Sequence, residues 1–142
     1  MLDKQQIELS KVRLKKSNKC YLTAIQDMRY GDYDSANNRA YYSMFHAIRA
    51  LLALESKDFK KHSQVIGYFN KNYVHAGFIE PRFFEMLSDA SDSRNKSDYS
   101  DYYFAIQEEA SNNIENAYKF LETVRQHIEA RFLAENIKES ID

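Results

Sequence analysis

Three glycines and one proline are all the punctuation that 142 residues carry. A chain so poor in turn-forming residues cannot make the many reversals of an all-β or alternating α/β fold. Long helices are the remaining option, and the length suits one domain, residues 1–142, with one sizeable core. Eleven tyrosines and nine phenylalanines add aromatic surface that helices bury by forming a tight bundle or by sharing an interface.

Helical spacing bears this out along the chain. Residues 3–30 read as one helix, with Ile7, Leu14, Tyr21, Ile25 and Met28 at sevens, fours and threes and Gly31 as its stop. Lys11, Arg13, Lys15, Lys16 and Lys19 make its outer face basic, which we read as a solvated face rather than a nucleic-acid patch. Asp32 or Asp34 caps a second helix reaching about Leu54, whose broad apolar surface marks it as the central one. His62-Ser63 open a short helix that ends by Gly77. Pro81 suits the first turn of a fourth helix over roughly 80–96, residues 97–104 read as irregular, and a fifth helix begins near Ile106. The tail beyond 131 is expected to fray. The expectation is an all-α, antiparallel four-helix bundle with one additional short helix.

Composition excludes several functions. The net charge is −1, so no global basic field holds nucleic acid, and any phosphate contact must be local. A single cysteine excludes an intrachain disulfide and suits a reducing compartment. The polar N-terminus shows no signal peptide, and no apolar run approaches the roughly 20 residues of a membrane span. A cytoplasmic protein with no membrane association is expected. Four scattered histidines and one cysteine offer no metal motif, and neither a glycine-rich phosphate loop nor a nucleophile elbow occurs. We expect no metal and no cofactor.

Two polar clusters stand out. Phe83, Leu87 and Ala90 step by helical spacing to Arg94, so a guanidinium continues an apolar stripe. Arg94 then reads either as a cation in the last turn, complementing the helix dipole for about 0.3–1 kcal/mol, or as a functional group with Asn95, Asp98 and Tyr99. The second cluster is a seam on the central helix: Asn38, Arg39, Tyr42 and His46. It reads either as a buried polar seam paired with a facing helix, its histidine a neutral core residue, or as part of a site.

Three segments together resemble a family. Asn38-Arg39-Ala40-Tyr41-Tyr42-Ser43-Met44-Phe45-His46-Ala47, then Lys61-His62-Ser63-Gln64-Val65-Ile66, then Arg94-Asn95-Lys96-Ser97-Asp98-Tyr99 are similar to the HEPN superfamily (higher eukaryotes and prokaryotes nucleotide-binding), in its small stand-alone prokaryotic branch. The helical pattern matches over about residues 8–128. The resemblance implies the same bundle, a homodimer, and a genetic neighbour that is a minimal nucleotidyltransferase in a toxin–antitoxin pair. In HEPN ribonucleases an arginine, four to six residues and a histidine lie at the dimer cleft; Arg94 followed by Asn95 matches the start of that motif.

The match departs at its end. Tyr99 stands where the ribonucleases carry histidine, and no histidine follows until His127. A phenol, with a pKa of about 10 in model peptides, is a poorer acid–base group at neutral pH than imidazole at about 6.5. Arg39 and His46 also fit arginine, six residues, histidine, but mid-helix and in another segment of the pattern, a coincidence of position. The resemblance therefore implies a nucleotide- or RNA-binding partner of a nucleotidyltransferase, with Arg94, Asn95, Asp98, Asn38, Arg39, Tyr42 and His46 as ligand-binding residues. Tyr99, Tyr102 and Tyr103 are candidate acceptors of AMP from that partner. The alternatives are a metal-independent endoribonuclease using Arg94 and Tyr99, and a non-enzymatic helical dimerisation module.

Overall fold

Asp3 opens the first helix through a capping box. Its carboxylate accepts from the Gln6 backbone N–H (2.8 Å), and the Gln6 side-chain oxygen accepts from the Asp3 N–H (2.8 Å). Two orphan amide donors are thereby satisfied, and helix α1 runs over Lys4–Arg29. Gly31, at φ +76°, ends it in a conformation that side-chain-bearing residues rarely adopt. Asp32 then caps α2 (Tyr33–Ala53), accepting from the Ser35 N–H at 3.1 Å. After a connection, α3 (His62–Phe69) continues into a π-helical turn at Asn70–Val74. Pro81 starts α4 (Pro81–Tyr99) at a position where its missing N–H costs nothing, and α5 covers Gln107–Ala134. This is the arrangement in a computed structural model, which describes residues 1–141.

The expected all-helical bundle is what forms. α2 is the central helix, packed on α1, α4, α5 and α3. Both α1 and α4 run antiparallel to it. The Ser10 hydroxyl donates to the Ala50 carbonyl (2.9 Å), Arg13 to the Arg49 carbonyl (3.1 Å) and Ser17 to the Ser43 carbonyl (2.6 Å), so position rises on α1 as it falls on α2. On the other side Asn37 and Asn38 meet Ser97 and Asp98, while Tyr42, a turn later on α2, meets Arg94, a turn earlier on α4.

The α1–α2 seam is built from small residues. Ser10, Ser17, Cys20 and Ala24 face Ala36, Ala40, Ser43, Ala47 and Ala50, all buried. Small side chains let two helix backbones approach closely, and the buried hydroxyls each find a backbone carbonyl. Tyr41, Met44, Ile48, Leu51 and Leu52 fill the opposite side of α2, against Leu14, Phe69, Leu87, Phe120, Leu121 and Ile128.

Two boundaries differ from the sequence reading. Helix α4 runs to Tyr99, so Ser97, Asp98 and Tyr99 are helical rather than irregular. Their side chains explain the extension: Ser97 and Asp98 both accept from asparagines of α2, at 3.2 and 2.8 Å. Beyond residue 131, the chain is not the frayed tail expected. α5 continues to Ala134, Phe132 and Ile141 are buried, Ile137 packs on the core, and Glu135 accepts from the Leu2 N–H at 2.6 Å. Among the described residues, no helix is long and apolar enough to cross a membrane.

Candidate functional site

The stripe that leads to Arg94 is real. Phe83, Leu87 and Ala90 are buried, and the Arg94 side chain, 17% exposed, lies where the next apolar residue would be. Because α4 ends five residues later, Arg94 is outside the last turn, where a helix-dipole contact would fall off. Aromatic rings surround it instead. The guanidinium carbon lies 5.6, 5.3 and 5.5 Å from the ring centres of Tyr41, Tyr42 and Tyr99. Nη2 donates to the Tyr42 hydroxyl (3.0 Å) and lies 3.5 Å from the Tyr99 hydroxyl, while Nη1 donates to Asn95 Oδ1 (3.3 Å). Nε is 2.9 Å from Asp98 Oδ2 yet has no aligned hydrogen-bond partner, so that contact is an ion pair only.

The α2 seam joins this cluster. Asn38 donates to Asp98 Oδ2 (2.8 Å), and its own Oδ1 accepts from Arg39 Nε (2.9 Å) and Nη2 (2.7 Å). Arg39 lies 5.2 Å from the Tyr42 ring centre and also donates to the Cys20 sulfur at 3.8 Å. Tyr42 thus carries a guanidinium from each of two helices. Burial pushes the Cys20 thiol up, partly offset by Arg39. Arg94, Asn95, Asp98, Asn38, Arg39, Tyr42 and Tyr99 therefore form one continuous contact set.

His46 is at its margin, 6.2 Å from Tyr42 ring to ring. Its Nδ1 is buried and without a hydrogen-bond partner. Burial, and then Arg49, Lys16, Arg39 and Arg13, hold its pKa down to about 4, so the ring is neutral at pH 7.

His62, read from the sequence as opening the short helix and as part of a family segment, enters the cluster from the first turn of α3. Its ring stacks on Phe45 (4.1 Å) and meets Tyr42 edge-on (5.7 Å), and its Nδ1 is 3.1 Å from the Tyr41 hydroxyl. Burial and then Arg94 and Arg49 lower its pKa. The same surroundings push the buried Tyr41 phenol up to about 12, burial first and Tyr42 second, against Arg94. His62 and Arg94 are 32 positions apart, so no local spacing points to their meeting.

The tyrosines after Arg94 divide. Tyr99 and Tyr102 are 72% and 97% exposed. The Tyr103 hydroxyl instead donates to Glu109, whose carboxylate also accepts from Ser93 (3.2 Å) and Asn37 (3.3 Å). Asn37 in turn accepts from Asn113 at 2.9 Å. With the Ala105 N–H donating to Asp34 (3.1 Å), this network fastens the α4–α5 connection onto α2. No group of three or more histidine, cysteine, aspartate or glutamate side chains able to hold a metal occurs among the described residues.

The all-α bundle agrees with the family comparison. The chain belongs to the HEPN domain family, whose model matches residues 10–127. It is similar to "Putative toxin MJ0142" of Methanocaldococcus jannaschii, 31% identical over 96 residues, which is 68% of this chain and 65% of that one. "UPF0332 protein PH1297" of Pyrococcus horikoshii is 50% identical over 58 residues, 40% of this chain and 41% of that protein. "Putative toxin MJ0605" of Methanocaldococcus jannaschii is 33% identical over 94 residues, 66% and 69% of the two chains. The chain therefore spans 65% and 41% of the length of the first two relatives.

Proposed function

We propose that this chain is a toxin-like HEPN protein that binds a nucleotide or RNA phosphate through Arg94. It does so as a homodimer and as the partner of a minimal nucleotidyltransferase in a toxin–antitoxin pair. The observation that carries the reading is the state of Arg94 itself. Its guanidinium is fixed by Tyr42 and Asn95 and lies near three rings, and its carboxylate neighbour makes no aligned hydrogen bond to Nε. Arginine has five N–H donors, so Nη1 retains a donor for an incoming oxygen, and a planar fork suits a phosphate. Relatives named as toxins support the biological setting.

Calorimetric titration of the full chain with AMP tests the reading, using Arg94→Gln beside the wild type. Saturable binding lost in the variant supports it; equal heats from both proteins would refute it. In the partner reading, incubation with the neighbouring transferase and ATP adds the mass of an AMP group to Tyr99 or Tyr102, whose hydroxyl-bearing rings are exposed. Tyr103, engaged by Glu109, is the least accessible of the three. An adduct elsewhere removes the tyrosine assignment.

One observation favours cleavage as a second reading: His62, joined to Arg94 through Tyr41 and Tyr42, would supply the imidazole that the motif lacks. With Nδ1 held by Tyr41, Nε2 is the site that exchanges a proton. In that reading Nε2 takes the 2′-hydroxyl proton, the 2′-oxygen bonds to phosphorus, and the bond to the 5′-oxygen breaks. The 5′-oxygen takes a proton from water, the imidazolium returns its proton to the hydroxide left behind, and a 2′,3′-cyclic phosphate remains. RNA cleavage without added metal, abolished by His62→Gln and retained in Tyr99→Phe, would separate this from the Tyr99 mechanism; equal cleavage by wild type and His62→Gln would reject it.

A further inference from the structure

Helices α1 and α5 contact each other less than either contacts α2. Between α1, α5 and the C-terminal tail lies a cavity of about 370 Å³, a size typical of small-molecule sites. Leu14 of α1 and Ile141 of the tail, both buried, form its floor, and Val12, half exposed, stands at its edge. Lys11, Lys15 and Asn18 from α1 and Arg125 from α5 complete the lining. The cavity shares no residue with the cluster around Arg94. Ile141 is there because the tail folds back along α1. The Leu2 N–H donates to Glu135 (2.6 Å), Ile137 packs on the core, and Lys11 pairs with Glu139 (3.4 Å).

The chemistry of this lining is one-sided. Among the described residues that line the cavity, three are cations and none is a carboxylate or an aromatic ring. Carboxylates outside the lining engage two of the cations: Glu139 meets Lys11, and Glu122 meets Arg125 at 3.5 Å. Lys15 is exposed and has no ion-pair partner among the described residues. With no ring, the lining offers a nucleobase nothing to stack on. A buried leucine and isoleucine beneath the amines instead give an alkyl chain a place out of water. Lys11 to Asn18 spans about 10 Å of helix, so the space suits an extended body rather than a compact one.

We propose that this cavity binds a medium-chain alkyl carboxylate, with its chain over Leu14 and Ile141 and its head at the Lys15 ammonium. The Asn18 amide offers the head a second donor. The chain supplies affinity by leaving water, and the lysine fixes which end faces solvent. This site does not depend on phosphate binding at Arg94.

Calorimetric titration of the full chain with hexanoate, heptanoate and octanoate reads the apolar contribution. Affinity should rise about 4-fold with each added methylene. In a methyl ¹³C–¹H spectrum, octanoate should shift the signals of Val12, Leu14 and Ile141 in a saturable way. Lys15→Gln is expected to lower octanoate affinity about 2–5-fold, while octanol, which keeps the chain and lacks the charge, binds both proteins alike. Val12→Trp places a ring at the edge of the cavity and should abolish the saturable heat. Lys15 is exposed, so its variant decides the matter if Val12→Trp unfolds. Affinity that ignores chain length, or octanol bound by the wild type as tightly as octanoate, would overturn the proposal. So would octanoate shifts confined to the exposed rings of Phe78 and Phe104, the pattern of a surfactant adsorbing to the surface.

Discussion

The sharpest stability prediction concerns His46. Burial and four cations hold its pKa at about 4, against an ordinary 6.5. Between those values the unfolded chain binds a proton that the folded chain does not, so stability falls as pH drops through this window. The contribution is fully lost only below about 4. Treated as wholly out of water, the shift removes about 2 kcal/mol on going from pH 7.5 to pH 5. The ring is half-buried and partly screened, which reduces the expected loss to about 1 kcal/mol. His62 and His127 are shifted in the same direction and Asp58 is held below its ordinary range, so the wild-type curve alone mixes several groups. Urea unfolding of wild type and His46→Gln at about pH 7.5 and about pH 5 isolates one: the variant should lose about 1 kcal/mol less than the wild type. Parallel losses in the two proteins would mean that His46 titrates as a solvent-exposed imidazole, and its burial beside the arginines of α1 and α2 would be wrong.

Other substitutions probe the frame that holds the site. Asn113→Ala removes the donor to the buried Asn37 Oδ1 (2.9 Å) and should lower unfolding free energy by about 1–3 kcal/mol, read by urea denaturation. Gly31→Ala meets nothing within 4 Å, so its cost is the positive φ alone, about 1 kcal/mol by thermal unfolding. Tyr103→Phe unfastens the α4–α5 connection from Glu109, and hydrogen exchange over residues 100–106 should accelerate while exchange in α2 stays unchanged.

The stripe to Arg94 was legible because helical spacing counts apolar residues, and Phe83, Leu87 and Ala90 obey it. A cap at Asp32 or Asp34 and the stop at Gly31 are legible for a similar reason, each being a local conformational requirement, and the structure selects Asp32. What was hidden depends on partners distant in the chain. No spacing argument marks Ser10 and Ser17 as interior, and each is buried with its hydroxyl donating to a carbonyl of α2. The twice-repeated Ser-Asp-Tyr reads as a loop, but asparagines of α2 hold its first copy in the helix. Arg13 sits in a basic run that reads as solvated, although it is 6% exposed and pairs with Asp58 across the bundle. His62 reaches Arg94 only through Tyr41 and Tyr42, a contact that the fold creates and no spacing encodes.

The central claim, that Arg94 receives a phosphate, is tested most directly by the guanidinium itself. In a ¹⁵N–¹H spectrum of the full chain, adding AMP should shift the Arg94 side-chain N–H signals in a saturable way, with smaller shifts at Asn95 and Tyr42. Arg94 signals that stay in place while others titrate would contradict the account.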